Sequence, residues 1–264
     1  MAHMQKNTAT VWDEVWQDPG LVKDDELIVA TEAATIRWQK IATVLRRELG
    51  SLDGLQAIEI GSGSGTYGAL LAKSGTETTV VDYSRAALAR ASDFYIHNGL
   101  PVTTIQGDAL LLSRTRARNH FDISISVGLT EHFKGRARLA IHKAHLDVLR
   151  PGGIAIFIVP NRANPPYRIY KWVSQLFGRW KFGEEYPFSR QELLFISSQL
   201  NASLVSLFGD DLYTSLRFLL PANFLRRFFR VGLPRAKKDI RVEKGTPLDD
   251  RFGYSFILML RNQP

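Results

Sequence analysis

The sequence predicts a doubly wound α/β fold, in which helices cover both faces of one mostly parallel sheet. Three observations predict it. Between residues 55 and 159, short apolar segments of strand length alternate with segments whose apolar residues recur at helical spacing. This alternation is typical of parallel strands joined by right-handed crossovers. A glycine-rich turn follows the first strand and an acidic residue ends the second, at the edge where such sheets bind ligands.

An N-terminal helical extension, residues 1–51, precedes the first strand. Apolar residues recur at helical spacing from Thr10 to Gly50. Asp24 and Asp25 are suited to cap a helix start, and Gly50 is suited to end one. We therefore expect helix, and no strand, before residue 52.

The predicted core covers residues 52–160, and further elements follow it. Its strands are Leu55–Ile60, Thr78–Val81, Val102–Gln106, Phe121–Val127 and Ile154–Val159. Its helices are Thr66–Lys73, Ser84–Asn98, Leu110–Arg118 and Lys134–Leu149. After the core we expect a helix at Gln191–Leu200 and strands at Ser203–Phe208 and Tyr254–Leu260. All of this fits a single domain over residues 1–264.

Composition excludes several kinds of site. The 264 residues include no cysteine, which excludes a disulfide framework, a cysteine-ligated zinc site and a thiolate nucleophile. No apolar run approaches the roughly 18 residues that a membrane-spanning helix needs. The N-terminus lacks the pattern of a signal peptide. We therefore expect a cytoplasmic protein.

The strongest chemical signal is the sequence AIEIGSGSGTYG at residues 57–68. Its glycines allow the backbone to approach a ligand closely, and the helix that follows offers free amides and a positive dipole end. A purely structural turn is the alternative interpretation. Asp82 and Asp108 favour ligand binding, because each follows a strand at the same sheet edge and carboxylates accept hydrogen bonds from ribose hydroxyls. A helix-capping role for Asp108 is also open.

Two kinds of adenosine ligand compete for this turn. Read from Gly63, the residues fit the dinucleotide pattern G-x-G-x-x-G. That pattern places its first glycine directly after the strand, however, and here the strand is predicted to end at Ile60. Read from Gly61, the turn is an acid followed by G-x-G-x-G, with Thr66 at the third dinucleotide position.

Four motifs occur in a fixed order along the chain: Glu59–Gly65, Val81–Ser84, Gly107–Ala109 and Val148–Gly153. As a set they resemble the class I S-adenosylmethionine-dependent methyltransferases over about residues 52–160. The resemblance implies a Rossmann-like, seven-stranded sheet whose last strand is antiparallel. It also implies S-adenosyl-L-methionine as the cofactor and methyl transfer as the activity.

The resemblance further implies which residues hold the cofactor. Its methionyl end would lie against residues that follow the first and fourth strands: Glu59, Gly61, Ser62, Gly63, Gly65, Val127 and Gly128. Asp82 would hold the ribose. The adenine would lie beside Tyr83, Asp108 and Ala109. The turn at Leu149–Gly153 is expected to be structural.

His132 is the candidate catalytic residue, because a hydroxyl acceptor must lose a proton and imidazole titrates near neutral pH. It lies in the segment Gly128–Phe133 after the fourth strand, which is similar to the Glu-His pair of quinone-pathway O-methyltransferases. A structural role for His132 is the alternative. The chain would then be an N- or C-methyltransferase of a small molecule that relies on proximity, or a catalytically silent adenosyl-binding module.

No metal site is expected. His142 and His145 lie one helical turn apart without an accompanying carboxylate pattern, and we interpret them as surface residues of an amphipathic helix. A divalent ion held by Glu131 and His132 is the weaker alternative.

Aromatic residues are concentrated in a predicted cap segment, residues 161–200. Nine lie between Tyr167 and Phe195. They either form a substrate cap over the cofactor edge or pack a small satellite core. Trp12 and Trp16, one helical turn apart, allow the same two interpretations.

A predicted basic insertion, residues 211–250, precedes the last strand. Residues 217–244 hold nine basic and two acidic residues among phenylalanines and leucines. The mixture suits weak docking on an anionic membrane surface, which would bring a small-molecule or lipid-like acceptor to the site. A solvated basic face over buried aromatics is the alternative. We expect no nucleic-acid partner, because no recognised reading motif accompanies the charge.

Overall fold

The computed structural model of the chain describes residues 8–18, 25–115, 117–210, 212–215 and 247–264. Within these ranges seven strands form one sheet. They are β1 (Gln56–Ile60), β2 (Glu77–Asp82), β3 (Thr103–Gln106), β4 (Phe121–Val127), β5 (Leu149–Pro160), β6 (Ala202–Gly209) and β7 (Ser255–Asn262). Their spatial order is β3-β2-β1-β4-β5-β7-β6.

Strands β1 to β5 are mutually parallel, whereas β7 runs antiparallel between β5 and β6. Ile58 pairs with Thr79 of β2 on one side and with Ser124 of β4 on the other. On the far side of the sheet, Ile156 of β5 pairs with Met259 of β7. The predicted seven-stranded α/β sheet with an antiparallel last strand is therefore confirmed.

Helices lie on both faces of the sheet. They are α1 (Ala9–Trp16), α2 (Asp25–Ala33), α3 (Ile36–Leu49), α4 (Thr66–Ala72), α5 (Arg85–His97), α6 (Gly135–Asp147), α7 (Pro165–Leu176), α8 (Arg190–Ser198), α9 (Leu212–Ser215) and α10 (Pro247–Phe252). Two short 3-10 helices, Ala109–Arg114 and Thr130–His132, follow β3 and β4. None of the helices in the described ranges is long and apolar enough to cross a membrane.

Two apolar clusters fill the space between the sheet and its helices. Ala57 belongs to the cluster that includes Leu45 of α3 and Phe94 of α5, whereas the next residue, Ile58, belongs to the cluster that includes Ile196 of α8. Consecutive residues of a strand point to opposite faces, so β1 contributes to both clusters. This is the doubly wound arrangement that the alternation of elements predicts.

Three local predictions need correction. The extension at Thr10–Gly50 contains separate helices, and Thr35 starts α3 by accepting a hydrogen bond from Trp38 N at 3.2 Å. The helix predicted at Leu110–Arg118 is the shorter 3-10 helix Ala109–Arg114. The turn predicted at Leu149–Gly153 is the start of β5, where the pairing with β4 shifts register between Phe121 and Ile123.

The prediction that His142 and His145 are surface residues is wrong. Both are fully buried, because this face of α6 packs on β5. Their rings lie 4.5 Å and 4.8 Å from the ring of Phe157. Burial lowers the pKa of His142 to about 4 and that of His145 to about 3, so both are neutral core residues at neutral pH. The predicted basic segment at residues 217–244 lies outside the described residues.

Candidate active site

A cavity of about 600 Å³ opens at the carboxyl ends of β1, β2 and β4. This is the edge at which doubly wound sheets bind ligands. Of the predicted site residues, those that line the cavity are Glu59, Gly61, Ser62, Gly63, Asp82, Tyr83, Asp108, Ala109, Val127, Gly128 and His132. The structure thus brings the predicted cofactor residues and the predicted catalytic histidine to one cavity.

The glycine-rich turn contacts its surroundings so closely that side chains would clash. Gly61 and Gly63 have φ values of 65° and 52°, in the left-handed region that favours glycine. A Cβ on Gly61 would lie 2.8 Å from Leu129, and a Cβ on Gly63 would lie 2.3 Å from Trp16. Gly65, which is not among the described lining residues, is instead the N-cap of α4 at a φ of 72°.

Glu59 is a buried acid at the end of β1. Its Oε2 accepts a hydrogen bond of 2.6 Å from the backbone N–H of Gly68 in α4. Burial raises the pKa of Glu59 to about 8, more than this bond lowers it. The group is therefore protonated at neutral pH until a positive charge approaches it.

Asp82 ends β2 and fixes the turn beside it. It accepts hydrogen bonds from Gly63 N at 3.1 Å and from Ser84 N at 2.9 Å. Burial also raises the pKa of Asp82. The bond from Gly63 links the carboxylate to backbone that lines the cavity, so Asp82 organises this wall as well as lining it.

Asp108 combines the two roles that its sequence position allows. It is the N-cap of the 3-10 helix after β3 and accepts a hydrogen bond of 2.9 Å from Leu110 N. It also lines the cavity, with Tyr83 and Ala109 nearby in the same wall. A capping carboxylate keeps further acceptor sites on its oxygens, so one role does not prevent the other.

His132 lies at the opposite end of the cavity, in the 3-10 helix after β4. Its Nδ1 lies 2.8 Å from the carbonyl oxygen of Glu184, in the loop after α7. The ring of Trp12 contacts it edge-on, with 5.1 Å between centroids. Burial lowers the pKa of His132 below its ordinary value, although backbone carbonyls oppose the shift. The imidazole is therefore neutral near pH 7.

Two acids lie beside His132. One ligand atom from each of Glu131, His132 and Glu185 lies within 4.8 Å of the other two, a spacing that a metal ion can bridge. The ammonium of Lys171 lies 3.6 Å from Glu185, and the hydroxyl of Tyr167 donates to the same carboxylate at 2.6 Å. The chain's own lysine and tyrosine therefore already supply a cation and a donor to this group.

The N-terminal extension, and not the predicted cap, supplies the two tryptophans that line the cavity. Trp12 and Trp16 of α1 line the cavity, whereas none of the nine aromatics of the Tyr167–Phe195 segment is among its described lining residues. Asp13 between the tryptophans accepts hydrogen bonds from Ser84 Oγ at 2.6 Å and Ala86 N at 3.1 Å. These bonds attach α1 to the start of α5, which places its two indoles over the site.

The cavity is also lined by a group of polar residues that sequence analysis did not predict. Arg37 of α3 donates to the Tyr67 hydroxyl at 3.1 Å and to Asp210 Oδ2 at 2.7 Å. Tyr67 in turn donates to Glu32 of α2. Arg37, Tyr67 and Glu32 all line the cavity. Arg37 and Asp210 are 173 positions apart, so no spacing rule could have paired them.

Comparison with known proteins identifies the central part of the chain. Residues 57–153 match the family described as a methyltransferase domain. Residues 57–153 thus form a methyltransferase domain. The match begins in β1 and ends in β5, so the methyltransferase domain contains the glycine-rich turn, Asp82, Asp108 and His132. The resemblance drawn from the four motifs is confirmed, and the dinucleotide alternative is set aside.

Relatives of known name extend the comparison beyond this match. A ubiquinone biosynthesis O-methyltransferase of Methylococcus capsulatus is 28% identical over 152 residues, which cover 58% of this chain and 59% of that protein. The chain thus matches about three fifths of the length of this curated relative.

Solved structures show the same fold over a larger part of the chain. A Synechocystis magnesium protoporphyrin IX methyltransferase with bound S-adenosylhomocysteine has a TM-score of 0.57 at 14% identity, covering 96% of this chain and 93% of that one. A Haemonchus contortus phosphoethanolamine N-methyltransferase has a TM-score of 0.55 at 18% identity, covering 86% and 53%. At these identities the likeness concerns the fold.

S-Adenosylmethionine is the cofactor of this domain, and the cavity has the features that fit it. Its volume lies in the usual range for ligand sites. The Ser62 hydroxyl is buried beside the glycine-rich turn and has no hydrogen-bond partner within the described part of the chain. A buried hydroxyl of this kind is stabilised when a polar ligand group reaches it.

Proposed function

We propose that this protein transfers a methyl group from S-adenosylmethionine to an oxygen atom of a small or amphipathic acceptor. One observation carries the proposal: the cofactor wall formed by Glu59, Gly63 and Asp82 and the neutral imidazole of His132 line the same cavity. A base at that position serves an acceptor that must lose a proton, as a hydroxyl does. The O-methyltransferase name of the Methylococcus capsulatus relative agrees with an oxygen acceptor.

The cofactor wall would bind by charge and by hydrogen bonding. Asp82 would accept hydrogen bonds from the ribose hydroxyls, and Glu59 with the Gly61–Gly63 backbone would face the methionyl end. Tyr83, Asp108 and Ala109 would lie at the adenine. When bound, the cofactor supplies the methyl group from its sulfonium. Val127 and Gly128, at the end of β4, would separate the methionyl end from the acceptor side.

His132 would act as the general base. A carbonyl oxygen can only accept a hydrogen bond, so in the neutral ring the nitrogen beside Glu184 carries the proton. The ring also contacts the backbone of Gly128, and as the base it would take the proton of the acceptor hydroxyl on its other nitrogen, Nε2. Holding the ring in one orientation prepares it for that transfer.

Apolar side chains around His132 would exclude water. The cavity that holds the cofactor wall and the histidine is also lined by Trp12, Trp16, Leu129 and Phe133. A dry cavity prevents water from competing with the acceptor and strengthens the electrostatic interactions inside it. Large apolar walls also suit an acceptor with an aromatic ring or a lipid-like tail.

The acceptor atom is tested with matched pairs of compounds that differ in one group, such as a phenol and the corresponding aniline. With methyl-labelled cofactor, we expect label on the phenol and little on the aniline. Preference for the aniline would replace oxygen by nitrogen as the acceptor. Binding of cofactor without transfer to any acceptor, including compounds that mass spectrometry finds co-purified, would favour the silent binding module.

Weak docking on an anionic membrane through residues 217–244 is the second part of the proposal. The nine basic residues of this segment and its interspersed phenylalanines support it. The expected result is pelleting with anionic but not neutral vesicles, release at high salt, and loss of pelleting when Arg226, Arg227 and Arg230 are changed to Glu. Wild-type protein that stays in the supernatant at low salt would make a soluble acceptor the better hypothesis.

A further inference from the structure

Helix α7 presents a row of large apolar side chains to solvent. Four of these side chains lie in the helix and one directly follows it; their exposed fractions are 48% for Ile169, 64% for Trp172, 38% for Val173, 65% for Leu176 and 67% for Phe177. Their spacing places all five on one face of the helix. Single exposed apolar residues are ordinary, but a continuous face of this kind marks an interaction surface.

The opposite face of α7 is anchored to the protein, so the orientation of the helix is fixed. Tyr167 and Ser174 are buried there, and Lys171 donates to the carbonyl oxygen of Glu185 at 2.8 Å. The helix start is capped by Asn164, which accepts a hydrogen bond of 2.7 Å from Tyr167 N. Because this inner face makes the tertiary contacts that hold the helix, the outer face remains exposed to solvent.

The surroundings of the outer face are cationic. Arg162, Arg168, Arg179 and Lys181 are all exposed. Residues 161–190 contain two acids, Glu184 and Glu185, and both are partly buried. Glu185 is paired with Lys171, and Lys181 reaches Asp18 at 2.7 Å. Within residues 161–190 the apolar row therefore has positive charge at both ends and no exposed acid.

We propose that this outer face, together with Phe182, docks on the surface of an anionic lipid bilayer. Tryptophan and phenylalanine side chains favour the boundary between headgroups and acyl chains, and arginine and lysine favour anionic headgroups. A second copy is a poorer occupant. A two-fold interface would bring the same patch of each copy together and place its arginines opposite one another.

The inner face of α7 connects this surface to the cavity. Lys171 and Tyr167 hold Glu185, and the carbonyl of the preceding residue, Glu184, holds His132. A protein docked through α7 therefore has the acceptor side of its cavity near the bilayer. The docking surface is independent of the reaction, however, and it uses none of residues 217–244.

The test is co-sedimentation of the full chain with vesicles of phosphatidylcholine alone and of phosphatidylcholine mixed equally with phosphatidylglycerol. The decisive variant carries Trp172→Ser, Leu176→Ser and Phe177→Ser, three positions more than 60% exposed, so its melting temperature should match the wild type. We expect wild-type binding to the anionic vesicles and at least a tenfold loss in this variant. The matched control, Leu194→Ser with Phe195→Ser on α8, removes exposed apolar residues elsewhere and should bind as the wild type.

A second measurement reports contact directly. Lipids brominated on their acyl chains should quench tryptophan emission of the wild type, and most of that quenching should disappear in Trp172→Phe. Equal pelleting of the triple serine variant and the wild type would overturn the proposal, as would wild-type protein that fails to bind anionic vesicles. A wild-type dimer that the triple variant converts to monomer would assign the face to a second copy. Loss of binding in the Arg226, Arg227 and Arg230 variant alone would move the contact to residues 217–244.

Discussion

The two ends of the cavity are built in different ways. At the cofactor end, Glu59 bonds to Gly68 and Gly63 bonds to Asp82, contacts that span 9 and 19 positions of the chain. At the acceptor end, His132 contacts Glu184, 52 positions away, and Trp12 from the N-terminal extension. The cofactor end is therefore formed largely by consecutive segments of the chain, β1, α4 and β2, whereas the acceptor end depends on three distant segments packing together.

The two ends also differ in the hydrogen bonds that their buried acids make. Burial raises the pKa of Glu59 and of Glu131 to about 8 in each case. Glu59 accepts a backbone hydrogen bond, whereas Oε2 of Glu131 has no partner within the described residues. The acceptor end therefore holds, next to His132, a buried carboxyl oxygen whose hydrogen-bonding capacity is unused within the described residues.

The largest expected effect is at the acceptor end. His132→Ala should lower turnover about 10²–10⁴-fold, because the acceptor hydroxyl loses its base. Binding of S-adenosylhomocysteine, measured by titration calorimetry, should change little, since His132 lies away from the cofactor wall. His120→Ala, an exposed histidine elsewhere, is the matched control. Near-wild-type turnover of His132→Ala would show that proximity suffices and would favour a nitrogen or carbon acceptor.

A smaller effect is expected at the cofactor end. Asp82→Ala should weaken S-adenosylhomocysteine binding by about 1–3 kcal/mol, because two ribose hydroxyls lose their acceptor. The same ligand should raise the melting temperature of the wild type, whereas NADH should not. Asp93→Ala, an exposed acid on α5, should bind as the wild type. Unchanged binding by Asp82→Ala would place the ribose elsewhere.

Cofactor binding should depend on pH through Glu59. Its raised pKa means that it is protonated below about pH 8 in the ligand-free protein. The positively charged methionyl end favours the carboxylate, so binding releases a proton and affinity falls as the pH decreases, by at most about tenfold per pH unit. Calorimetry in two buffers of different ionisation enthalpy measures the released proton. Glu59→Gln should abolish the proton release, whereas the control Glu77→Gln should keep it. If the wild type released no proton on binding at pH 7, the role given to Glu59 would be wrong.

The smallest expected effect links the two ends through α1. Burial lowers the pKa of His132, and the ring of Trp12 is part of that burial. Trp12→Ala admits water, which raises this pKa towards its ordinary value of about 6.5. The acid side of the pH–turnover profile should then shift to higher pH by less than about one unit. A profile identical to that of the wild type would show that α1 does not shield the histidine.

Sequence patterns predicted most of the cofactor end because the residues that form it lie close together in the sequence. The period of apolar residues specifies the strands, and the glycines and Asp82 follow within a few positions of the strand ends. Even the double role of Asp108, which caps a helix and lines the cavity, could be anticipated from its position.

The acceptor end was less predictable because composition does not reveal which face of an element is buried. The aromatics of residues 167–195 suggested a cap, yet Trp172 and Phe177 point to solvent while Trp12 and Trp16 line the cavity. His142 and His145 have the spacing of surface residues and are fully buried. The pairing of Arg37 with Asp210 exists only once α3 and the end of β6 have met.

The position of β7 has a consequence for the order in which the sheet is completed during synthesis. Residues 255–260 are fully buried between β5 and β6, yet they leave the ribosome after both. Until then β5 has an unpaired edge, and β6 has no neighbour through which to join the sheet. While residues 161–254 are being synthesised, the nascent chain therefore exposes the unpaired, apolar edge of β5. We expect aggregation, and the need for a chaperone, to be greatest in this interval.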